Sequence, residues 1–290
     1  MSRILVIVVT YNAMKWVERC LGSLRGSSVR PDVLVVDNGS GDGTQDYIRE
    51  HFPEAELVCR SDNPGFGAAN NIGLRLALER GYDFVYLLNQ DAWLFPDTLS
   101  VLVGAMRPEY GILSPVQCDA AGAPDRQFER KCGRRLKAAA EKRTATVEVP
   151  FVMAAHWLIS AEAIRRVGGF SPAFRQYGED DNYIDRLHCH GLRCAVVPAA
   201  SAVHDRADRP NPRERRLKLK CIAVTVHISN PRGPFALRAL AALLELIAMS
   251  VKNLSLTPLR YIPTLLHRLP ELRRLRAASR DEGAFLIHHH

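Results

Sequence analysis

At 290 residues the chain has room for one large domain, or for a domain with a smaller appendage. Its 47% hydrophobic content supplies a sizeable core and excludes global disorder. Lys and Arg number 39 against 31 Asp and Glu, a net charge of +8, and no nucleic-acid-binding module accompanies that charge, which argues against nucleic acid as the partner.

In chain order, Ile4 to Val9 is an unbroken aliphatic strand that ends in Thr10-Tyr11-Asn12. Trp16 to Leu24 follows as an amphipathic helix with Trp16, Val17, Cys20, Leu21 and Leu24 on its apolar face. Val33 to Val36 is a second strand, closed by the loop Asn38-Gly39-Ser40-Gly41-Asp42-Gly43. Thr44 to His51 reads as a helix, Glu56 to Cys59 as a short strand, and Asn63-Pro64-Gly65-Phe66-Gly67 as a turn. Ala68 to Arg80 is a helix stopped by Gly81, and Phe84 to Leu88 is the next buried strand. This alternation predicts a right-handed, doubly wound α/β half-domain.

Beyond Asp91 the pattern loosens. Asp97 is expected to cap a helix from Thr98 to Met106. Residues 118–147 are polar, basic and weakly patterned, which predicts a mobile excursion. Val149 to Ser160 reads as one strand, Ala161 to Val167 as a helix ended by Gly168-Gly169, Glu179 to His190 as a helix, and Cys194 to Val197 as a strand. The predicted divisions are a catalytic domain over 1–207, with a nucleotide-binding half to about 91 and an acceptor half after it, and a basic helical region over 208–287. His288 to His290 reads as a tag remnant.

Within the C-terminal region, Phe235 to Leu254 is long enough for a membrane helix but carries Arg238, Glu245 and Lys252 along one stripe, which disfavours a true span. Packing on the catalytic domain, interfacial contact with an anionic membrane, and dimerisation all remain open for it. Basic runs over 206–220 and 268–280 are compatible with a solvated face or with anionic partners. Seven cysteines, none in a CxxC, and a strand that starts almost at Met1 predict a reducing, cytoplasmic setting.

The residues that carry chemistry sit at the carboxyl ends of these strands, where open α/β sheets collect ligands. Asp37-Asn38 ends one strand and Asn89-Gln90-Asp91 another, while Gly178-Glu179-Asp180 opens a helix. Three acidic stations in that order point to a nucleotide diphosphate, a divalent metal and a general base.

Val8-Val9-Thr10-Tyr11-Asn12, Val35-Val36-Asp37-Asn38-Gly39-Ser40, Asn63-Pro64-Gly65-Phe66-Gly67, Leu88-Asn89-Gln90-Asp91 and Gly168-Gly169-Phe170 with Tyr177-Gly178-Glu179-Asp180 together resemble the family 2 glycosyltransferases, most of all the rhamnosyltransferase-like members. The resemblance covers roughly residues 3 to 207. It implies a GT-A fold, with a Rossmann-like, mostly parallel central sheet flanked by helices, and an inverting mechanism. It also implies a Mg²⁺ or Mn²⁺ ion bound together with the nucleotide diphosphate.

Carried over by position, Thr10, Tyr11, Asn12, Asp37, Asn38, Asn63, Gly65, Asn89 and Gln90 would bind the nucleotide sugar. Tyr11 would stack on the base and Asp37 would accept the imide proton of uracil or thymine. Asn89 stands where the family has the first acid of an Asp-x-Asp, which leaves Asp91 to bind the metal with His204 as its late partner. Asp180 matches the general base and Glu179 a group that orients it or meets the acceptor. Arg206, Arg209 and Arg213 would help to neutralise the departing diphosphate. The implied donor is a dTDP-sugar such as dTDP-rhamnose, or alternatively a UDP-sugar, and the implied acceptor is lipid-linked or a polysaccharide. A degenerate module that binds sugar nucleotide without turnover is the reading from another class.

Overall fold

The computed structural model describes residues 2–140, 144–206 and 212–286. The expected boundary at 207/208, Arg209, and His288 to His290 therefore lie outside the described residues.

Strands β1 (Ile4–Thr10), β2 (Asp32–Asp37), β3 (Glu56–Cys59) and β4 (Phe84–Asn89) pair in parallel in the order β3-β2-β1-β4. Helices α1 (Val17–Arg25), α2 (Thr44–His51) and α3 (Phe66–Glu79) make the crossovers. Successive strand residues face opposite sides, so Leu5, Ile7 and Val36 enter one core with α3, whereas Val6, Val8 and Val35 enter the other with α1. The run of aliphatic residues without polar alternation is what a strand covered on both faces requires.

From β4 onward the sheet is mixed. After β5 (Ala92–Leu94) and α4 (Thr98–Ala105), β6 (Tyr110–Cys118) lies beside β8 (His156–Ser160), and β8 pairs antiparallel with both β4 and β6. β9 (Arg193–His204) runs parallel to β6 and antiparallel to β5 and β7 (Val147–Val149). Four of the named pairings are thus parallel and four antiparallel, which corrects the expectation of a mostly parallel sheet. Beyond β4 the β6–β9 pairing is the one parallel pairing among the named strands.

Three further expectations are corrected. The excursion after Cys118 is helical in its described part: α5 (Arg126–Phe128) runs through a π-helical turn (Glu129–Gly133) into α6 (Arg134–Ala140). Asp125 caps it by accepting from the N–H groups of Gln127 and Phe128, and Phe128 and Cys132 anchor it in the core. The strand expected over Val149–Ser160 is two, β7 and β8, because residues 150–155 leave the ladder and Val152 accepts instead from Trp157 Nε1. Asp97 stands at the N-cap of α4 without a side-chain cap bond. Thr98 Oγ1 takes over locally, accepting from Phe95 N–H and donating to Ser201 C=O.

After α7 (Ala161–Val167) and α8 (Glu179–Cys189), the C-terminal helices α9 (Arg213–Ser229), α10 (Phe235–Asn253) and α11 (Thr257–Ala278) pack on one another. Ala173 and Phe174 join their core, which fastens the helices to the loop before α8. Among the described residues no helix is long and apolar enough to cross a membrane.

The last described residues return to the sheet. Gly169 N–H donates to Ala284 C=O at 2.8 Å, Leu286 enters the main core, and the Arg186 guanidinium lies 4.6 Å from the Phe285 ring centre. Gly168 adopts φ +82°, ψ −151°, and a Cβ there would collide with the Ala284 backbone. Gly168→Ala should therefore lower unfolding stability by about 1–3 kcal/mol from backbone strain alone. A urea midpoint equal to the parent's would mean that the terminus does not constrain this turn.

Candidate active site

The β1–β2 register sets Thr10 beside Asp37, and the β1–β4 register sets Val9 beside Asn89, so the three strand ends share one edge. Asp37 is fully buried there. Its Oδ1 accepts from the N–H groups of Gly39 and Ser40 and from Gln45 Nε2, and its Oδ2 accepts from the hydroxyls of Thr10 and Ser40. Burial alone would raise its pKa, but these donors outweigh it and hold the carboxyl below its usual range. Five donors fill the acceptor sites of one carboxylate. An imide N–H can reach Asp37 only by displacing one of them, and the Gln45 amide at 2.6 Å is the one on a flexible side chain.

The chain leaves β1 through Asn12 at φ +51°, which turns Tyr11 outward with about half of its surface exposed. Gln90 clamps that turn by accepting from Tyr11 N–H at 2.7 Å and donating to Tyr11 C=O at 3.2 Å. Asn12 Oδ1 accepts from Gly41 N–H, which joins the β1 end to the glycine-rich loop. Asn38 Oδ1 is buried with no hydrogen-bond partner. Asn63 and Gly65 lie elsewhere: Asn63 C=O accepts from Arg175, and Gly65, at φ +93°, abuts the Arg175 backbone. They border the loop that leads into α8, not the Tyr11–Asp37 cluster.

The second cluster is made by the antiparallel pairing of β5 with β9, which sets Ala92 opposite His204. Asp91 Oδ1 lies 3.4 Å from His204 Nε2, and both side chains are buried. Arg206 Nε donates to His204 Nδ1 at 3.1 Å while its Nη1 donates to Gln127 Oε1 at 2.6 Å, so the helical excursion reaches this station. Arg213, by contrast, is tied to the Asn253 carbonyl at the end of α10.

Behind His204 stands His156, whose Nε2 faces Val203 C=O and whose Nδ1 faces the Tyr86 hydroxyl. Burial, and then the neighbouring His204, push its pKa down to about 3, which keeps it neutral. No pattern in the sequence singles out His156 as part of this site.

Among the described residues no three His, Cys, Asp or Glu side chains converge as a ready-made metal cage. The donors at Asp91 and His204 nonetheless fit a hard divalent ion that takes its remaining oxygens from a diphosphate. Asn89 supports that fit. Its Nδ2 lies 3.5 Å from His204 Nε2, and its Oδ1 is buried without a partner. Amide orientation is assigned by such contacts, and the flipped amide would turn the orphaned oxygen toward the same station.

The third cluster opens α8. Gly178 takes a left-handed conformation (φ +89°), and Glu179, Asp180 and Asp181 follow in the first turn. Burial, then the charge of Asp180, raise Glu179 to about 8, and the same two causes raise Asp181. Asp180 is also raised by burial, against hydrogen bonds from the N–H groups of Asp181 and Ala154 and against the charge of Lys131. Glu179 Oε2 is buried with no partner. Residues 154 and 155 join this cluster to the metal station: Asn89 N–H donates to Ala155 C=O at 3.2 Å, and Ala154 N–H serves Asp180. Neither alanine carries a sequence signal, and Lys131 is hidden in the poorly patterned excursion.

Residues 5–168 match the family model described as glycosyl transferase family 2. Over 232 residues the chain is 28% identical to an N-acetylglucosaminyl-diphospho-decaprenol L-rhamnosyltransferase of Mycobacterium tuberculosis, covering 70% of this chain and 76% of that one. Over 108 residues it is 37% identical to an undecaprenyl-phosphate mannosyltransferase of Micrococcus luteus, covering 36% of this chain but only 44% of the relative's length. The mannosyltransferase PcManGT of Pyrobaculum calidifontis, solved with GDP-Man and Mn²⁺, superposes with a TM-score of 0.57 at 22% identity, over 96% of this chain and 73% of that one. The likeness to such structures identifies the fold as GT-A.

The raised acids have a thermodynamic consequence. Glu179 retains its proton in the folded chain at pH values where the unfolded chain, near 4.5, has lost it. Its contribution to stability is therefore complete below that value and is lost as pH rises toward about 8. Glu179→Gln should flatten this decline, read as denaturant midpoints at pH about 5 and about 8. A decline as steep as the parent's would show that Glu179 is ionised in the fold.

Proposed function

The chain belongs to glycosyl transferase family 2, and on that premise we propose that it transfers a hexosyl unit, L-rhamnose from a dTDP donor, to a lipid-linked or polysaccharide acceptor with inversion at the anomeric carbon. The observation that carries this reading is the link through residues 154 and 155. It ties the carboxylate of Asp180 and the Asn89–Asp91–His204 station to neighbouring peptides, which supports reading them as parts of one site.

In this reading Tyr11 stacks on the pyrimidine, and Asp37 accepts its imide N–H as the Gln45 amide swings aside. Thr10, Asn12, Asn38, Asn89 and Gln90 line the nucleotide, with the unpartnered Asn38 and Asn89 oxygens as acceptors for ribose hydroxyls. Asn63 and Gly65 act at one remove, by shaping the loop before α8. Asp180 takes the proton of the acceptor hydroxyl as that oxygen attacks the anomeric carbon and the nucleoside diphosphate departs from the opposite face. A carboxylate whose pKa is raised by burial is a stronger base for this step than an ordinary one. Glu179, protonated and adjacent, donates a hydrogen bond to the acceptor without adding a second negative charge.

Asp91, His204 and the Asn89 amide would hold Mg²⁺ or Mn²⁺, which when bound supplies positive charge to the diphosphate. Arg206, hydrogen-bonded to His204, adds a fixed cation beside it. The rhamnosyl donor rests on the relative that spans 70% of this chain. All seven cysteines are free thiols, in keeping with action in the cytoplasm.

Asp180→Asn should bind dTDP or UDP as the parent does in calorimetry while turnover falls roughly 10²–10⁴-fold. Near-normal transfer would remove Asp180 from the mechanism, and tighter binding of GDP than of either pyrimidine nucleotide would overturn the base pocket. A panel of dTDP- and UDP-sugars, scored by nucleotide diphosphate release, separates the rhamnosyl donor from a UDP-sugar. No release from any donor despite tight binding would leave a binding module.

With only two strong protein ligands, divalent metal should bind poorly to the free chain and well in the presence of dTDP or UDP. Asp91→Asn and His204→Ala should each raise the metal concentration needed for half-maximal activity and weaken metal binding in the nucleotide complex, measured by calorimetry. Full activity in excess chelator would shift the neutralising role to Arg206.

A further inference from the structure

The buried side of α10 is Ala239, Ala242, Leu246 and Ser250. The opposite side is also apolar. Leu237, Leu240, Leu244, Ile247 and Val251 recur every three or four residues there and are 46–71% exposed, and Leu254 beyond them is 92% exposed. The stripe continues over the turn through Leu256 and onto α11 through Leu259 and Leu266. Between the buried side and the Arg238–Glu245–Lys252 stripe this second apolar face has no cover among the described residues, and contiguous exposed apolar surface of this kind marks a contact site.

Charge identifies what covers it. From Arg213 onward Lys and Arg number 14 and Asp and Glu five, a net +9. The whole chain carries +8, so the remainder is close to neutral at −1. Lys252, Arg260, Arg273 and Arg274 are exposed on the two helices that bear the stripe. Two copies joined through this face would bring one +9 unit against another. An anionic lipid surface instead attracts the cations while its acyl boundary takes up the leucines, the arrangement of helices that lie in a membrane interface.

We propose that the α10–α11 face is a docking surface for an anionic bilayer, holding the chain flat on the membrane without spanning it. The helices stay folded on contact, because their core with α9 and with Ala173 and Phe174 lies on the other side. This docking rests on the surface alone and not on the identity of the donor sugar.

The test is flotation of the full chain with vesicles of phosphatidylcholine, with and without one-third phosphatidylglycerol. Binding should require the anionic lipid and weaken at 0.5 M salt as the ionic attraction is screened. The variant Leu240→Ser/Leu244→Ser/Val251→Ser should partition on the order of 10²-fold less while keeping the parent's unfolding midpoint. Lys252→Glu/Arg274→Glu, which leaves the leucines intact, should lose roughly tenfold or more. Failure of the parent to float at low salt, or equal flotation of both variants, would overturn the proposal. So would a parent dimer in sedimentation that the serine variant makes monomeric, because a second copy would then cover the face. Calorimetry with dTDP and UDP on the same samples keeps the two readings apart: absent nucleotide binding counts against the proposed transferase and leaves the vesicle result standing.

Discussion

The hydrogen bond from Asn89 N–H to Ala155 C=O joins the parallel half of the sheet to its antiparallel half, and the link between the Asp91–His204 station and α8 depends on it. On one side of β4 lie parallel strands wound by helices; on the other lies β8, antiparallel to it. At β4 the sheet changes from parallel to antiparallel neighbours, and β8 reaches that place only after β5, α4, β6 and the helical excursion. Residues 150–155, which leave the ladder just before β8, carry backbone groups to both Asn89 and Asp180.

The electrostatic arrangement follows from how each acid is surrounded. Asp37 and Glu179 are buried and Asp180 and Asp181 partly so, yet the pKa of Asp37 moves down and those of the α8 acids move up. Asp37 has five donors, and they overcome the cost of burying its charge. Glu179 has an oxygen with no partner and acids as next neighbours, so burial and repulsion act together on it. The helix dipole at the N-terminus of α8 favours negative charge there, but three adjacent acids, one buried and two partly buried, exceed what one helix end offsets. Asp37 is thus built as a permanent anion, and α8 as a place where a proton can be held or released.

Much of the parallel half was legible in the sequence because each of its segments carries a strong local signal. Ile4 to Val9 and Phe84 to Leu88 are uninterrupted aliphatic runs, and Thr44–His51, Glu56–Cys59 and Ala161–Val167 have the expected bounds. In the antiparallel half the helices Thr98–Ala105 and Glu179–Cys189 were legible to within a residue, but the strand pairing was not, since it is set by partners distant in sequence. Tyr110–Cys118 contains Pro115 and a shift of register against β9, and neither resembles a regular strand in a short window. The helix after Asp125 depends on one capping aspartate and two buried anchors within a basic stretch. At the site, Asp180 and His204 stand out by type and position, whereas His156, Ala154 and Lys131 act through contacts that only the fold creates.

The C-terminal helices are not a loosely tethered addition. Residues 284–286 return to Gly168 and Gly169 at the end of α7, Phe285 lies against Arg186 of α8, and Arg186 donates to Gly169 C=O at 2.5 Å. Arg268 of α11 donates to Ala173 C=O in the loop before α8, and Arg276 caps the carbonyls between α9 and α10. The basic, leucine-faced unit and the helix that carries Asp180 are therefore locked into one body from two directions. A lipid-linked acceptor has its anionic headgroup at the membrane surface and its hydroxyl some distance from it. For such a substrate, rigid coupling between the docking face and Asp180 would fix the height of the base above the bilayer, and a flexible linker would not. In that reading the contacts of residues 284–286 with Gly168, Gly169 and Arg186 serve to keep the docking face and α8 in one rigid body.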